Sequence, residues 1–256
     1  MIIFPAIDIK DGVCVRLMQG DPDRVTVYGK DPVSVAKRWE GEGAGWLHVV
    51  DLDGAFLRRP ANRQVVASIV KAVSIPVQVG GGIRNLEAIR DYLDSGVERA
   101  IIGTAALRQP EILEQACGLY RSRIALGIDA RDGLVAIEGW KETSGTDAVA
   151  LAKRFEKLDL AAIIYTDIHR DGMQSGVNIE ATKRLLESCS IPVIASGGVH
   201  TLQDIEDLLP LVPLGLLGVI TGKAIYSGTL RFKDALARVR EKCGGATPSP
   251  NPRRGE

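Results

Sequence analysis

Two stretches of the chain, PAIDIKDG at Pro5–Gly12 and LGIDARDG at Leu126–Gly133, share one pattern. In each stretch a short apolar run reaches Ile-Asp, and Asp-Gly follows after two more residues. Because β-branched residues favour strands and Asp-Gly favours turns, each stretch predicts a strand that ends near its first aspartate. The recurrence of the pattern predicts an internal duplication.

The duplication continues through both halves of the chain in the same order. VDLDG (Val50–Gly54) matches TDIHRDG (Thr166–Gly172), IPVQVGGG (Ile75–Gly82) matches IPVIASGG (Ile191–Gly198), and IGTAAL (Ile102–Leu107) matches TGKAIY (Thr221–Tyr226). Segments of helical period separate these strand-like runs, which is typical of βα units around a parallel sheet. The two halves therefore predict two half-barrels.

Eight strand-like runs alternate with the helical segments. We predict strands at Ile2–Ile7, Trp46–Val50, Pro76–Val79, Arg99–Ile102, Ile124–Ile128, Ala161–Tyr165, Pro192–Ala195 and Gly215–Ile220. A closed barrel of eight βα units takes about 250 residues, and this chain has 256. The predicted fold class is α/β, a (β/α)8 TIM barrel built from two repeated half-barrels.

Helix starts are marked by residues that cap a helix N-terminus. They are Asp31 before Pro32, Asn85, Asn178, and Thr201 with Asp204 three residues later, which resembles a capping box. A last helix is predicted over Arg231–Lys242. We expect one barrel domain over residues 1–243 and a disordered tail over 244–256, because the tail is rich in Gly, Pro, Ser and charge.

Composition excludes several classes of protein. No apolar run approaches the roughly 18 residues that span a membrane, and 32 basic residues balance 32 acidic ones, so no net field favours nucleic acid. Cys14, Cys117, Cys189 and Cys243 lack the spacing of a disulfide framework or a zinc site. The chain begins directly with strand-like residues and not with a signal peptide. We expect a cytoplasmic monomer that binds neither nucleic acid nor membrane.

Asp8 and Asp129 are the candidate acid–base pair. They end strands one and five, which lie on opposite sides of an eight-stranded barrel, at the face where barrel enzymes hold their active sites. Two carboxylates on either side of a substrate can remove one proton and donate another, as an aldose–ketose rearrangement requires. Thr166 ends strand six and is expected to orient Asp129 or to contact the substrate.

Glycine clusters follow four strands and predict two equivalent phosphate-binding regions. In the first half the cluster consists of Gly81, Gly82, Gly103 and Thr104, and in the second half of Gly197, Gly198, Gly222 and Lys223. Glycine lets backbone N–H groups approach a phosphate closely. The pair of regions predicts a substrate with two phosphates, and similar effects from substitutions at Gly103 and Gly222.

Further candidate ligand contacts lie in and after the strands. Arg16 and Gln19 belong to an extended loop after strand one, and Trp140 to a long loop after strand five that is a candidate lid with a stacking surface. His48 in strand two is either a core residue or a substrate contact. Asp171 and Gly172, the last two residues of the segment TDIHRDG after strand six, are also candidate ligand contacts.

The sequence contains no motif for a metal or a cofactor. No His, Cys and carboxylate cluster has metal-ligand spacing, and neither a G-x-G-x-x-G motif nor a P-loop follows a strand. Lys10 and Lys223 are predicted in loops, so a Schiff-base lysine within a strand is not expected. The chemistry is therefore expected to need neither metal nor cofactor.

Four motifs give the chain a strong resemblance to a known family. FPAIDIKDGVCVRLMQGD (Phe4–Asp21), VVDLDGA (Val49–Ala55), VGGGIR (Val79–Arg84) and GWKETSG (Gly139–Gly145) resemble the HisA-type phosphoribosylformimino-aminoimidazole carboxamide ribotide isomerases of histidine biosynthesis. The resemblance covers Met1 to about Cys243. It implies an Amadori rearrangement of a bisphosphate substrate, with Asp8 as the base, Asp129 as the acid and Thr166 assisting.

Three alternatives remain open from sequence. The cyclase subunit of imidazole glycerol phosphate synthase shares the barrel and both aspartates, but its opening motif is Cys-Leu-Asp where this chain has Ala6-Ile7-Asp8. A bifunctional isomerase that also accepts phosphoribosyl anthranilate is expected to carry an extra Arg where this chain has Glu138-Gly139. A non-catalytic phosphosugar-binding barrel is expected to lack one of the carboxylates.

Overall fold

Eight parallel strands close into a barrel in the computed structural model, which describes residues 1–244. The strands of the described chain are β1 (Ile2–Lys10), β2 (Val13–Met18), β3 (Asp21–Gly29), β4 (Leu47–Asp51), β5 (Val77–Gly80), β6 (Arg99–Ile102), β7 (Ile124–Arg131), β8 (Leu134–Ile137), β9 (Glu142–Asp147), β10 (Ala162–Asp167), β11 (Val193–Ser196) and β12 (Leu216–Thr221). The barrel order is β1-β4-β5-β6-β7-β10-β11-β12, and β12 pairs with β1 to close the ring. The predicted TIM barrel is confirmed.

The extended loops predicted after the first and fifth barrel strands are wrong in detail, because both segments form antiparallel hairpins. β1 continues into β2 through the two-residue turn Asp11-Gly12, and β7 continues into β8 through Asp132-Gly133. All four turn residues have positive φ, as an Asp-Gly hairpin turn requires. Lys10 consequently lies at the end of β1 and not in a loop. The hairpin strand β3 is largely exposed, so its residues lack the apolar alternation that marks a half-buried strand.

The helices pack around the outside of the barrel. They are α1 (Pro32–Gly41), α2 (Leu52–Leu57), α3 (Arg63–Ala72), α4 (Leu86–Asp94), α5 (Thr104–Arg108), α6 (Pro110–Leu119), α7 (Ala148–Arg154), α8 (Ile179–Ser188), α9 (Leu202–Leu208), α10 (Lys223–Ser227) and α11 (Phe232–Lys242), with a 3₁₀ helix at Leu209–Leu214. The predicted caps are confirmed: Asp31, Asn85 and Asn178 accept bonds from backbone N–H groups, and Thr201 forms a capping box with Asp204.

Two apolar layers hold the fold together. One fills the inside of the barrel and consists of Phe4, Ala6, Trp46, Ile101, Ala125, Ala162, Ile164, Ile194, Leu217 and Ile220. The larger layer lies between the outward faces of the strands and the helices, for example at Ile7, Val49 and Trp39. Because side chains alternate along each strand, the inward set also carries the polar residues of the barrel mouth.

Among residues 1–244, no helix is long and apolar enough to cross a membrane. The predicted last helix begins at Phe232, with Arg231 as its cap. The tail predicted over 244–256 lies, apart from Gly244, outside the described residues.

Candidate active site

The carboxyl ends of the barrel strands surround a cavity of about 250 Å³. Its apolar floor includes Ile101, Ile164 and Ile220 from the barrel interior. The predicted site residues that line the cavity are Asp8, Arg16, His48, Gly81, Gly82, Gly103, Thr104, Asp129, Trp140, Thr166, Asp171, Gly172, Gly197, Gly198, Gly222 and Lys223. Residues that are far apart in the sequence therefore share one site at the face predicted for it.

Asp8 lies on β1 in an ion pair with Arg16. Arg16 Nη1 is 2.6 Å from Asp8 Oδ2, and both side chains are almost completely buried. The pairing follows from the hairpin, since β2 folds back on β1 with Val15 as the register partner of Asp8, which brings the next residue, Arg16, close to Asp8. Burial raises the pKa of Asp8, and the positive charge of Arg16 opposes that rise. A charged partner thus favours the carboxylate form of Asp8.

Asp129 lies across the cavity on β7, and its hydrogen-bond donors within residues 1–244 are neutral. Trp140 Nε1 donates to Asp129 Oδ2 at 2.8 Å. The Thr166 hydroxyl donates to the same carboxyl group, and Thr166 is its register partner on β10. Burial raises the pKa of Asp129, and these two hydrogen bonds lower it in part. Asp129 therefore retains its proton to higher pH than an exposed aspartate does.

Asp171, in the loop after β10, is a third carboxyl group in the cavity. Desolvation raises its pKa to about 6, and the charges of Asp8 and Asp129 add to the rise, while Arg16 and Lys223 oppose it. Asp171 lines the same cavity as both aspartates. The cavity consequently holds three carboxyl groups and three cationic side chains, those of Arg16, Arg84 and Lys223.

The duplicated glycines have a structural reason that is the same in both halves. Gly81, Gly82, Gly197 and Gly198 all have positive φ. A Cβ atom on Gly81 would overlap the backbone carbonyl of Asp51, and one on Gly197 would lie 2.6 Å from the carbonyl oxygen of Asp167. These four positions require glycine for conformation and close packing, whatever they bind. All four glycines line the cavity.

Gly103 and Gly222 are less equivalent than the sequence predicts. Each precedes a five-residue helix, α5 or α10, with similar backbone angles. The space beside Gly103 is open, with the nearest atom 3.8 Å from an added Cβ, whereas a Cβ on Gly222 would overlap the guanidinium of Arg16. The two glycines therefore differ in their surroundings, and on steric grounds we expect substitutions at them to differ as well.

The hairpin β8–β9 covers one side of the cavity. Its turn carries Trp140, whose ring packs over Gly20 in the turn between β2 and β3. Glu138 anchors the turn, because it pairs with Arg84 at 2.8 Å and with Arg58 at 3.0 Å, and its N–H donates to the Thr104 hydroxyl. Ion pairs to the C-cap of α2 and to the loop after β5 hold this hairpin at the side of the cavity.

The loop after β10 connects to both neighbouring loops. Lys223 Nζ donates to the carbonyl oxygen of Gly172 at 2.8 Å. Gln19 lies in the turn between β2 and β3, where it has positive φ. Its side-chain amide donates to the carbonyl oxygen of His169 at 3.3 Å. Gln19 is not one of the described residues that line the cavity. Its side chain contacts a loop, and its role in binding stays a prediction.

Comparison with known proteins identifies the family. A model of the histidine biosynthesis protein family matches residues 2–231. The chain belongs to this family. A relative from Pelobacter propionicus is 56% identical over 237 residues, which cover 93% of this chain and 97% of the relative. Another from Geobacter sulfurreducens is 54% identical over 246 residues, covering 96% of this chain and 100% of the relative. Both carry the name 1-(5-phosphoribosyl)-5-((5-phosphoribosylamino)methylideneamino) imidazole-4-carboxamide isomerase.

Sequence reasoning missed two polar residues below the site of this histidine biosynthesis protein. Gln78 on β5 and Arg99 on β6 are buried inside the barrel, where Arg99 donates to Gln78 and Gln78 hydrogen-bonds to His48. The available signal was a polar residue within an apolar strand, in IPVQVGG and in RAII. Sequence also assigned Arg16 to the substrate, whereas its strongest contact is the ion pair with Asp8.

Proposed function

We propose that this protein catalyses the isomerisation for which its relatives are named, an Amadori rearrangement of the aminoaldose to the aminoketose in histidine biosynthesis. The observation that carries the proposal is the pair of buried carboxyl groups, Asp8 and Asp129, on opposite strands of one cavity. The relatives' name describes a substrate with two phosphoribosyl ends. The repeated glycine clusters of the two half-barrels suit such a substrate.

The two aspartates divide into a base and an acid because their environments differ. Asp8 has the guanidinium of Arg16 as its partner, which favours the ionised form that accepts a proton. Asp129 has only the N–H of Trp140 and the hydroxyl of Thr166, so burial leaves it more readily protonated. We assign Asp8 as the general base, Asp129 as the general acid, and Thr166 as the residue that orients Asp129.

The reaction balances with these two groups alone. Asp129 protonates the ring oxygen, the bond from that oxygen to C1 breaks, and the amine nitrogen forms a C1–N double bond. Asp8 then removes the C2 proton, which gives an enaminol with a C1–C2 double bond. Protonated Asp8 returns a proton to C1, and Asp129 takes the proton of the C2 hydroxyl to leave the ketone. Both side chains regain their starting states, and no redox or metal chemistry is needed.

The two phosphates of the substrate are assigned to the two glycine clusters. In the first half, backbone N–H groups at Gly81, Gly82 and Gly103 and the hydroxyl of Thr104 face one phosphate. In the second half, Gly197, Gly198 and Gly222 offer the same kind of surface, and Lys223 adds a positive charge. Binding at both ends fixes the reacting carbons between the aspartates, which favours the reaction.

The remaining candidate residues act on binding and orientation. Trp140 is assigned to stack on the imidazole carboxamide and to hydrogen-bond Asp129. Arg16, His48 and Asp171 contact the sugar portion between the aspartates, and Gly172 contributes backbone at the same wall. Gln19 is assigned to the loop contacts that shape the entrance.

The proposal includes the setting of the enzyme. We propose a cytoplasmic monomer with a small-molecule substrate, since one barrel contributes both aspartates and both glycine clusters. Light scattering of the purified chain tests the monomer, because a dimer gives twice the mass.

The test of the function is turnover of the aminoaldose substrate by the purified protein, with ¹³C at C2 of the reacting ribose. NMR should follow loss of the alcohol carbon signal and growth of a ketone signal. A barrel that only binds phosphosugars would bind the substrate without producing the ketone. Formation of an imidazole product from the ketose and ammonia would indicate the cyclase. Either result contradicts the proposal.

A further inference from the structure

Three polar side chains form a connected row beneath the cavity. His48 on β4 is the register partner of Gln78 on β5, and Gln78 is the register partner of Arg99 on β6. Residues paired across neighbouring parallel strands project to the same side of the sheet. All three side chains are buried within the barrel, and among them only His48 lines the cavity.

The direction of the hydrogen bonds in this row is determined by Arg99. A guanidinium group only donates, so the Gln78 oxygen accepts from Arg99 Nη1, at 2.9 Å. The other end of the Gln78 amide is then an NH₂ group, and it donates to His48 Nδ1 at 3.0 Å. Nδ1 must therefore be unprotonated. In a neutral imidazole the proton then lies on Nε2, the nitrogen that Gln78 leaves available to the cavity.

The surroundings determine the protonation states of His48 and Arg99. Burial, with a contribution from the charge of Arg16, lowers the pKa of His48 to about 3, so its ring is neutral at physiological pH. Burial lowers the pKa of Arg99 to about 10, which leaves it charged at that pH. The guanidinium carbon of Arg99 also lies 4.6 Å from the centre of the Trp46 ring, which fixes its position.

The duplication provides an internal comparison. In the aligned repeats IPVQVGGG and IPVIASGG, Gln78 corresponds to Ile194, and the alignment of Val50 with Thr166 makes His48 correspond to Ile164. Both isoleucines are buried in the apolar interior of the barrel. The barrel thus tolerates apolar residues at these positions, and a buried polar row costs desolvation. A structural role alone does not account for the row in the first half.

We propose that Gln78 and Arg99 are positioning residues that hold His48 as a neutral imidazole with its proton on Nε2, so that it donates a hydrogen bond to an acceptor oxygen of the bound substrate. The donor role rests on the proposed isomerase function, whereas the tautomer follows from the hydrogen-bond row alone. A fixed donor beside Asp8 orients the sugar before proton transfer.

The first test is ¹⁵N NMR of the protein labelled at its three histidines, without substrate. His48 is assigned by the signal that disappears in His48→Gln, which leaves His169 and His200. The expected spectrum has an unprotonated Nδ1 and a protonated Nε2 for His48, unchanged between pH 6 and 8. A protonated Nδ1 in the wild-type protein overturns the proposal.

The second test reverses the direction of the hydrogen bond between residue 78 and His48. In Gln78→Glu the carboxylate only accepts, so it bonds both Arg99 and a protonated His48 Nδ1. We expect the tautomer signals to exchange and kcat/KM to fall about tenfold or more, the usual effect of losing one buried hydrogen bond. Gln78→Met is the neutral control, and it should give a mixture of tautomers and a smaller loss. Thermal unfolding checks that both variants fold.

A double-mutant cycle separates positioning from structure. His48→Gln keeps an amide donor that does not depend on a tautomer, so in that background Gln78→Glu should cost less than about threefold in kcat/KM. An equal loss in both backgrounds overturns the positioning role. If the wild-type protein has the expected tautomer but no isomerase activity, the proposed function fails and the donor role fails with it, while the tautomer assignment is supported.

Discussion

Asp171 offers a quantitative test of the electrostatics of the cavity. Its pKa of about 6 in the folded protein exceeds the ordinary value of 3.8. The folded state therefore binds this proton more tightly than the unfolded state does. Below about pH 4 both states hold the proton, and the folded protein loses stability as the pH rises from about 4 to about 6. Above that window the carboxylate of Asp171 destabilises the fold in full.

The magnitude follows from the size of the shift. One pH unit corresponds to about 1.4 kcal/mol, so ionisation of Asp171 costs about 3 kcal/mol of unfolding free energy at pH 8. Asp171→Asn removes the charge with little change of shape. Its gain in stability should be about 3 kcal/mol at pH 8 and should fall to roughly half of that at pH 5, where the wild-type side chain is mostly protonated.

Urea unfolding of both proteins at pH 8 and pH 5 measures this difference. Asp132→Asn is the matched control, because its side chain is 82% exposed and a surface substitution is expected to have a small effect. The same Asp171→Asn protein should also lose activity. A charged group that serves function in a site commonly lowers stability, so its removal raises stability and lowers activity. A gain that does not depend on pH, or a loss of stability at pH 8, would refute this electrostatic reasoning.

Three further predictions concern the chemistry and the cavity wall. Asp8→Asn and Asp129→Asn should each lower kcat by about 10² to 10⁴ with an unchanged fold, and activity within tenfold of wild type would remove that residue from the mechanism. Trp140→Phe keeps the stacking surface and loses the N–H donor, so kcat should fall about fivefold at nearly constant KM, while Trp140→Ala should also raise KM; equal kinetics for the two would contradict the stacking role. Gly222→Ala should reduce kcat/KM about tenfold more than Gly103→Ala, because only at Gly222 does an added methyl group meet a guanidinium, and similar losses would count against that difference.

The sequence predicts the barrel well because its signals are local. Strand periodicity and helix caps arise from residues near one another in the chain, and the two copies of the PAIDIKDG pattern are visible in the sequence itself. The hairpins are missed although Asp11-Gly12 and Asp132-Gly133 are typical hairpin turns. β3 is exposed, and the Gly-rich, polar sequence of β9 does not alternate between apolar and polar residues.

The site is predicted in its residue types but not in its pairings. Asp8 and Asp129 can be identified from their place in the repeat, yet the ion pair of Asp8 with Arg16 depends on a hairpin that folds back over the strand. The bond from Gln78 to His48 depends on the register between two strands. Register and hairpin geometry are tertiary properties, which a single sequence specifies only weakly.

The transfer of protons through carboxyl groups is tested most directly by the reaction in D₂O. The wild-type protein is held with substrate and ketose at equilibrium for many turnovers, and the C1 position of the ketose is observed by ¹H and ²H NMR. In the proposed mechanism Asp8 removes the C2 proton to form the enaminol and then returns a proton to C1. While the proton is on the carboxyl group it can exchange with solvent. Deuterium should therefore accumulate at C1. A ketose that keeps only protium at C1 would mean direct hydride transfer from C2, and would contradict the acid–base mechanism.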